Sequence, residues 1–554
     1  MKRRRQYDDI APDEILIDAQ NIPGFDAYRV EGKIERPIER RAFRNLSIAV
    51  VAIACVFLFQ LGKLETVDRA QLSARAEANR LTESTITAAR GTIVDRNGTV
   101  LATNVPGGRG YATRAYPLGE AAAQVVGYVS YPRKDSAGNP ITDATRGVAG
   151  VEAGFDGVLA GINGDSIEET DAHGAIVSGS VVHPPTDGAT VALSLDAGLQ
   201  QELYRAIKAR ADETSFVGGS GVVIDVTTGE ILAMASYPSY DPGVISAGAP
   251  ASEVNKYLAN VNGPFLNRAV TGLYTPGSVV KPFVALAALA HRTIDPEKQI
   301  LSTGSISVPN PYDPTHPSVF KDWRPNGWVD MRHGIAYSSD VYFYEVGGGF
   351  EGQQGLGISA IKSFMQSFGF AALTGIALPG EAAGTIPDPA WKATHFSGEQ
   401  WYLGDTYHTA IGQYGFQLTP IELARAVAAL ANGGTLVSPT VIKGQPGEQT
   451  TLGIPAANMT VVHEGMRLAV TDPLGTAKAL AIPGVEVAGK TGTAQLGYHN
   501  EFTNSLVIGF FPYGHPRYAF AVVMEKAKAG QSGAPAAMGE VLNWIVANRP
   551  DMVN

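Results

Sequence analysis

A chain of 554 residues is too long for one ordinary domain and holds enough material for several buried cores. Its 43 Lys and Arg against 53 Asp and Glu give a net charge of −10, and no basic run follows the first few residues, which excludes the basic stripe that nucleic-acid binding requires. The single cysteine, Cys55, excludes a disulfide framework and a cysteine-based metal site.

Residues 1–45 are charged and lack apolar periodicity, which predicts a largely disordered tail. From Asn45 to Gly62 run 18 residues without a charge, near the lower limit for a membrane-spanning helix. A buried core helix is the competing reading, but such helices rarely lack polar residues on every face. Arg40, Arg41 and Arg44 crowd the N-terminal edge, which orients a spanning helix with the tail in the cytoplasm. The nearest small-residue cleavage pattern, Ala74-Arg75-Ala76, lies too far beyond Lys63 for a signal peptide. The expectation is an uncleaved anchor over residues 46–62, with everything after it outside the cytoplasm.

Next, two β-type runs flank Arg96-Asn97-Gly98, and Asn-Gly between apolar runs predicts a hairpin. The rest of the segment to 185 is rich in Gly, Pro, Thr and Ala and reads as an irregular β-rich module, so that 63–185 forms one unit. The pattern changes near residue 188, where a strand is followed by a helix with Leu199, Leu203 and Ile207 on one stripe, and a second unit is expected over 186–554. Gly221–Val226 and Glu230–Ser236 form a hairpin around Thr227-Thr228-Gly229. Three more strands lie near 487–494, 505–511 and 518–524, and an amphipathic helix closes the chain over about 534–547. Strands from both ends surround a helical middle (about 278–291, 355–369 and 420–432), which predicts an α+β domain with one antiparallel sheet covered by helices.

Three Ser-x-x-Lys patterns occur: Ser278 to Lys281, Ser318 to Lys321 and Ser359 to Lys362. Ser318 follows Pro-Thr-His-Pro in a loop-like stretch, and Ser359 suits the wet face of a helix; both read as structural. Ser278 follows Pro276-Gly277 and opens a run, Val-Val-Lys-Pro-Phe-Val-Ala-Leu-Ala-Ala-Leu-Ala, too apolar to be anything but buried. One helical turn separates it from Lys281, which places the ammonium within reach of the hydroxyl. Burial lowers a lysine pKa towards the range where it accepts a serine proton, and the pair becomes an activated nucleophile. Acyl transfer also needs a proton donor for the leaving nitrogen and donors for the oxyanion. Ser338-Ser339-Asp340 offers a hydroxyl and a carboxylate two apart, although Ser194-Leu195-Asp196 and Ser239-Tyr240-Asp241 match the same pattern. Lys490-Thr491-Gly492-Thr493 is the one Lys-Thr-Gly of the chain, on a strand whose Gly492 admits a close approach; its bland reading is an edge-strand lysine.

Taken in order, Ser278-x-x-Lys281, Ser338-x-Asp340 and Lys490-Thr491-Gly492 resemble the motif triplet of penicillin-binding proteins and β-lactamases. From the anchor to the last strand the chain resembles class B penicillin-binding proteins, the single-pass transpeptidases of cell-wall synthesis. Arg90-Gly91 with Asp95-Arg96-Asn97-Gly98, and Gly147 to Glu152, are similar to their pedestal motifs. Thr228-Gly229-Glu230, Pro238 to Pro242, Asn267-Arg268-Ala269, Leu378 to Glu381 and Ile411-Gly412-Gln413 before Thr419-Pro420 are further matches, all taken as structural. The resemblance implies a five-stranded antiparallel sheet with helices on both faces plus an all-helical subdomain, preceded by an elongated β-rich pedestal.

It also implies a D,D-transpeptidase that needs no cofactor or metal. Ser278 is acylated by the penultimate D-Ala of a peptidoglycan stem peptide and resolved by a neighbouring amine, and β-lactams acylate the same serine. Lys281 serves as base, Ser338 relays the proton, and Asp340 and Lys490 tune the relay. Thr491 and Thr493 hold the substrate carboxylate beside Gly492, and the backbone N–H groups of Ser278 and Thr493 form the oxyanion hole. Asp340 stands where many relatives carry Asn and favours the elongation branch over the division branch; Tyr414 stands where they usually carry Gly. The implied partners are a membrane glycosyltransferase of the SEDS family and morphogenesis proteins. A β-lactamase-like hydrolase lacks its expected Glu-x-x-x-Asn between 341 and 490. A non-catalytic β-lactam sensor would carry several membrane spans, where one is found.

Overall fold

The computed structural model describes residues 40–107, 112–134, 140–142, 144–170, 176–310, 313, 315–497, 499–528, 530–531 and 533–553. The tail expected to be disordered lies, up to residue 39, outside them. They divide into two compact units, one of 40–82 with 167–170 and 176–179, the other of the remainder. In the first unit, helix α1 (Arg40–Thr66) is exposed along its whole length. Among the described residues it is the one helix long and apolar enough to cross a membrane. Its 27 residues extend the expected segment at both ends, to about 40 Å.

In the second unit the predicted hairpin is present: β1 (Ile93–Val94) pairs antiparallel with β2 (Val100–Val105), and β2 continues to β3 (Thr113–Ala115). The Asp95 carboxylate accepts bonds from the backbone N–H groups of Asn97 and Thr99, both at 2.7 Å, and so holds the turn. The strand expected near residue 188 is short, β4 (Val191–Ala192), and pairs in parallel with β1 in this small sheet. Beside it, fully buried Glu152 accepts from Arg90 Nε at 2.5 Å and Arg114 Nε at 2.9 Å, which balances two buried guanidinium groups against one carboxylate.

After helix α2 (Ala197–Thr214) come β5 (Gly218–Asp225) and β6 (Ile231–Tyr237). The middle of the chain is helical: α3 (Lys281–Ala290), α4 (Met331–Ala336), α5 (Asp340–Gly348), α6 (Leu403–Ala410), α7 (Pro420–Ala431) and α8 (Ala456–Thr471). Strands β7 (Ala488–Leu496), β8 (Phe502–Phe511) and β9 (Tyr518–Lys528) and helix α9 (Ala534–Asn548) follow. One five-stranded antiparallel sheet, in the order β6-β5-β9-β8-β7, joins the two ends.

Both faces of this sheet are buried, and the two-residue strand period divides them between two cores. Val222, Ile224, Ala519, Ala521 and Val523 pack with α3 and α7, while Val223, Phe520, Val522 and Met524 pack with Leu199, Leu203 and Ile207 of α2 and Met538, Val541 and Ile545 of α9. A capping box starts α7: the Thr419 hydroxyl accepts from Glu422 N at 3.3 Å, and the Glu422 carboxylate accepts from Thr419 N at 2.8 Å. The expected helix near 355–369 is Ile358–Ser367, with Ser359 exposed and Lys362 paired to Asp388. The Ser318 stretch, expected as a loop, is instead a strand, Ser318–Lys321, paired with Ser305–Val308.

Candidate active site

The chain enters α3 through a tight 3₁₀ turn, Gly277–Val280, which carries Ser278 half-buried at its surface. Gly277 has φ +57° and donates its N–H to Gly412 O at 2.9 Å. A Cβ on Gly492 would stand 2.7 Å from Pro276 O, so glycine there lets strand β7 lie against the serine turn. β7 is an edge of the sheet, and its backbone is therefore available to a ligand. Thr493 O accepts from Gln413 Nε2 at 3.4 Å, on the side away from β8. Because the N–H and C=O of one strand residue point the same way, the Thr493 N–H also faces that side.

The second segment arrives between α4 and α5. Ser338 adopts φ +58°, a left-handed conformation that a serine takes only when its surroundings impose it. Its neighbour Ser339 caps α5 by accepting from Tyr342 N at 3.3 Å, and Asp340 is the first residue of that helix. Fully buried Lys281 spends its three donors here: Nζ donates to Ser338 O at 2.7 Å, Ser338 Oγ at 3.3 Å and Asp340 Oδ1 at 2.6 Å. Among the described residues no hydrogen bond engages the Ser278 hydroxyl, which lies one helical turn before Lys281. The ammonium turns towards the carboxylate, whose charge compensates it.

Lys490, placed by β7, is also fully buried and donates to Thr491 O at 2.9 Å. Burial, and then the neighbouring Lys281, hold its pKa well below that of an ordinary lysine, against the pull of Asp340. Burial pushes Asp340 above the usual carboxylate range, against the pull of Lys281 and with the charge of Asp322 adding to the rise. Lys281, Ser338 and Asp340 are thus joined by hydrogen bonds with Lys490 close enough to feel their charges, half-buried Ser278 lies one turn before Lys281, and Thr491, Gly492 and Thr493 are on the edge strand. Ser318 and Ser359 lie elsewhere, on an exposed strand end and an exposed helix face.

A sequence profile described as the penicillin binding protein transpeptidase domain matches residues 219–545, and one described as the penicillin-binding protein dimerisation domain matches 109–193. The Acinetobacter baumannii protein named peptidoglycan D,D-transpeptidase MrdA is 32% identical over 470 residues, which cover 80% of this chain and 67% of that one. The chain belongs to the class B, elongation-type penicillin-binding proteins. It is a peptidoglycan D,D-transpeptidase of cell-wall synthesis. Two solved structures are similar over nearly their whole length. The penicillin-binding protein PBP2 of Helicobacter pylori, solved in complex with MreC, has a TM-score of 0.70 at 25% identity, covering 84% of this chain and 99% of that one. A chain from a structure described as showing coordination of polymerization and crosslinking by a peptidoglycan synthase complex has a TM-score of 0.71 at 26% identity, covering 91% and 99%.

Two features of this penicillin-binding protein escaped the motif reading. Gln413, taken as structural, reaches the backbone of Thr493. Its neighbour Tyr414, at φ +63°, is held by aromatic rings: Phe396 stacks at 5.9 Å between centroids and Trp391 meets it edge-on at 5.8 Å. A glycine adopts that backbone without strain, and the aromatic packing offsets the strain of the tyrosine here. Asp322, which no motif contains, contacts both Ser339 and Val341; nothing in its sequence context marks it.

Proposed function

We propose that Ser278 is the nucleophile of the acyl transfer and that Lys281, Ser338, Asp340 and Lys490 move and place the proton. The observation that carries this reading is the triple engagement of Lys281 Nζ with Ser338 O, Ser338 Oγ and Asp340 Oδ1. Because Ser338 Oγ accepts from Lys281, its own hydrogen is free to be donated into the cleft, towards a leaving nitrogen. Acting as the neutral amine, Lys281 takes the hydroxyl proton as Ser278 Oγ attacks the carbonyl of the penultimate D-Ala, and it becomes the ammonium; the C–N bond to the terminal D-Ala then breaks as Lys281 returns a proton through Ser338 to the leaving nitrogen. An acceptor amine from a neighbouring stem reverses these steps and leaves the crosslink. Asp340 holds the positive charge of Lys281 during the cycle, and the depressed pKa of Lys490 keeps a second cation from competing for it. Thr491 and Thr493 bind the substrate carboxylate. The Ser278 and Thr493 N–H groups stabilise the oxyanion, each donor being worth about 3 kcal/mol of barrier.

Helix α1 anchors the protein in the cytoplasmic membrane with residues 1–45 inside, the pedestal over 63–185 and the transpeptidase domain over 186–554 outside. Its partners are a SEDS-family glycosyltransferase and morphogenesis proteins, which the MreC complex of the Helicobacter pylori relative and the synthase-complex relative support. Fluorescent penicillin is expected to label the chain covalently. Ser278→Ala is expected to abolish labelling and Ser318→Ala and Ser359→Ala to leave it intact; labelling that persists in Ser278→Ala overturns the assignment.

A further inference from the structure

Asp322 lies just after the strand Ser318–Lys321 and belongs to none of the three motifs, yet its carboxylate is the most heavily bonded acceptor beside the site. Oδ2 accepts from Ser339 Oγ at 2.7 Å, Ser302 Oγ at 3.0 Å, Asn326 Nδ2 at 3.1 Å and Val341 N at 3.2 Å. Oδ1 accepts from Trp323 N at 2.8 Å, and Asp322 N donates to Gly304 O at 2.9 Å. Two of these donors, Ser339 and Val341, flank Asp340 and fix the first turn of α5. The others tie the carboxylate to the strand ending at Ser302 and to its own loop. Ser338, immediately before, sits in a left-handed conformation costing about 1–3 kcal/mol, which persists only where the surroundings over-determine it. Two charged groups outside the segment bond to it: Lys281 engages Ser338 and Asp340, and Asp322 holds their neighbours Ser339 and Val341.

We propose that Asp322 is a positioning residue of the acyl transfer: its carboxylate pins Ser339 and the start of α5, and thereby holds Ser338 Oγ and Asp340 within bonding distance of Lys281. The inference rests on the roles proposed above for Ser338, Asp340 and Lys281. Without the carboxylate, the buried Ser339 hydroxyl and Val341 N–H lose their acceptor, and the turn is released to relax away from Lys281. A displacement of the order of 1 Å in such a relay costs about a hundredfold in rate.

The test measures the second-order rate constant for acylation of the full-length chain by fluorescent penicillin, together with the endpoint of labelling, which counts folded active molecules. Asp322→Ala is expected to slow acylation by about tenfold to a hundredfold while the endpoint stays at the wild-type level. Asp322→Asn keeps an amide oxygen for the Ser339, Ser302 and Val341 donors and is expected to recover most of that rate. Ser339→Ala removes one arm of the same contact, so the Asp322→Ala/Ser339→Ala double variant is expected to be no slower than Asp322→Ala alone. Acylation of Asp322→Ala within about threefold of wild type, a loss that appears only in the endpoint, no recovery in Asp322→Asn, or multiplicative losses in the double variant would each overturn the inference. Ser278→Ala reports on the underlying reading separately. If it is unlabelled while Asp322→Ala keeps the wild-type rate, only the inference falls; if it is labelled, both fall.

Discussion

At the residue scale the site is a small set of buried charges whose protonation is fixed by burial and by each other. Lys490 is the clearest case, because a lysine with its pKa depressed in the folded chain binds its proton less readily there than when unfolded. The unfolded chain then holds more protons, so this residue's contribution to stability rises with pH from the depressed pKa up to about 10.4, and its penalty is greatest at and below the depressed value. Lys490→Met, of similar shape and without a charge to bury, is expected to raise the melting temperature near neutral pH. The gain shrinks as the pH is brought towards 10, and penicillin acylation is slowed by at least about tenfold. Melting curves at several pH values with acylation rates on the same samples check both halves. Asp340 shows why a motif is not a mechanism: its place two residues after Ser338 was plain in the sequence, but its contact with Lys281 needed two distant helices to meet.

At the element scale the site depends on backbone segments packed against one another without side chains between them. The serine turn, strand β7 and the loop at Gly412 form such a contact. A Cβ on Gly412 would lie 2.2 Å from Gly277 O, and its φ of +77° already disfavours any other residue. Gly412→Ala is therefore expected to push the Gly277–Ser278 turn off β7 and to slow acylation by about a hundredfold, with a loss of stability of about 1 kcal/mol or more. Stopped-flow acylation and thermal unfolding of the same variant check the split. Elements themselves were largely legible, because the apolar run of α3, the Asn-Gly hairpin and the short apolar runs of β5 and β9 are local patterns. The Ser318 strand was misread as a loop because its pairing with Ser305–Val308, rather than its own residues, makes it a strand. Asp322 was missed for the same kind of reason: its partners Ser302, Ser339 and Val341 lie 17 to 20 residues away in the chain.

At the scale of the whole molecule, the transpeptidase sheet needs strands from both ends of a long segment, since β5 has no inner neighbour until β9 has been made. All residues of the proposed chemistry lie in the second compact unit, and α1 lies in the first. Removing residues 1–66 is thus expected to leave the rate of penicillin acylation within about threefold of the full chain, while abolishing the ability to support wall growth in cells depleted of the intact protein. Labelling kinetics of the shortened chain and complementation of the depleted strain check the two outcomes. What the sequence by itself determined was the identity and order of the chemistry-bearing residues, the exposed apolar helix and the α+β pattern, because spacing, periodicity and charge are properties of neighbouring residues. Only the tertiary structure decided that Lys281 turns to Ser338 and Asp340, that Lys490 is buried, and that Asp322 holds the turn between them. Those outcomes depend on which distant side chains share a low-dielectric space, and the fold alone fixes that.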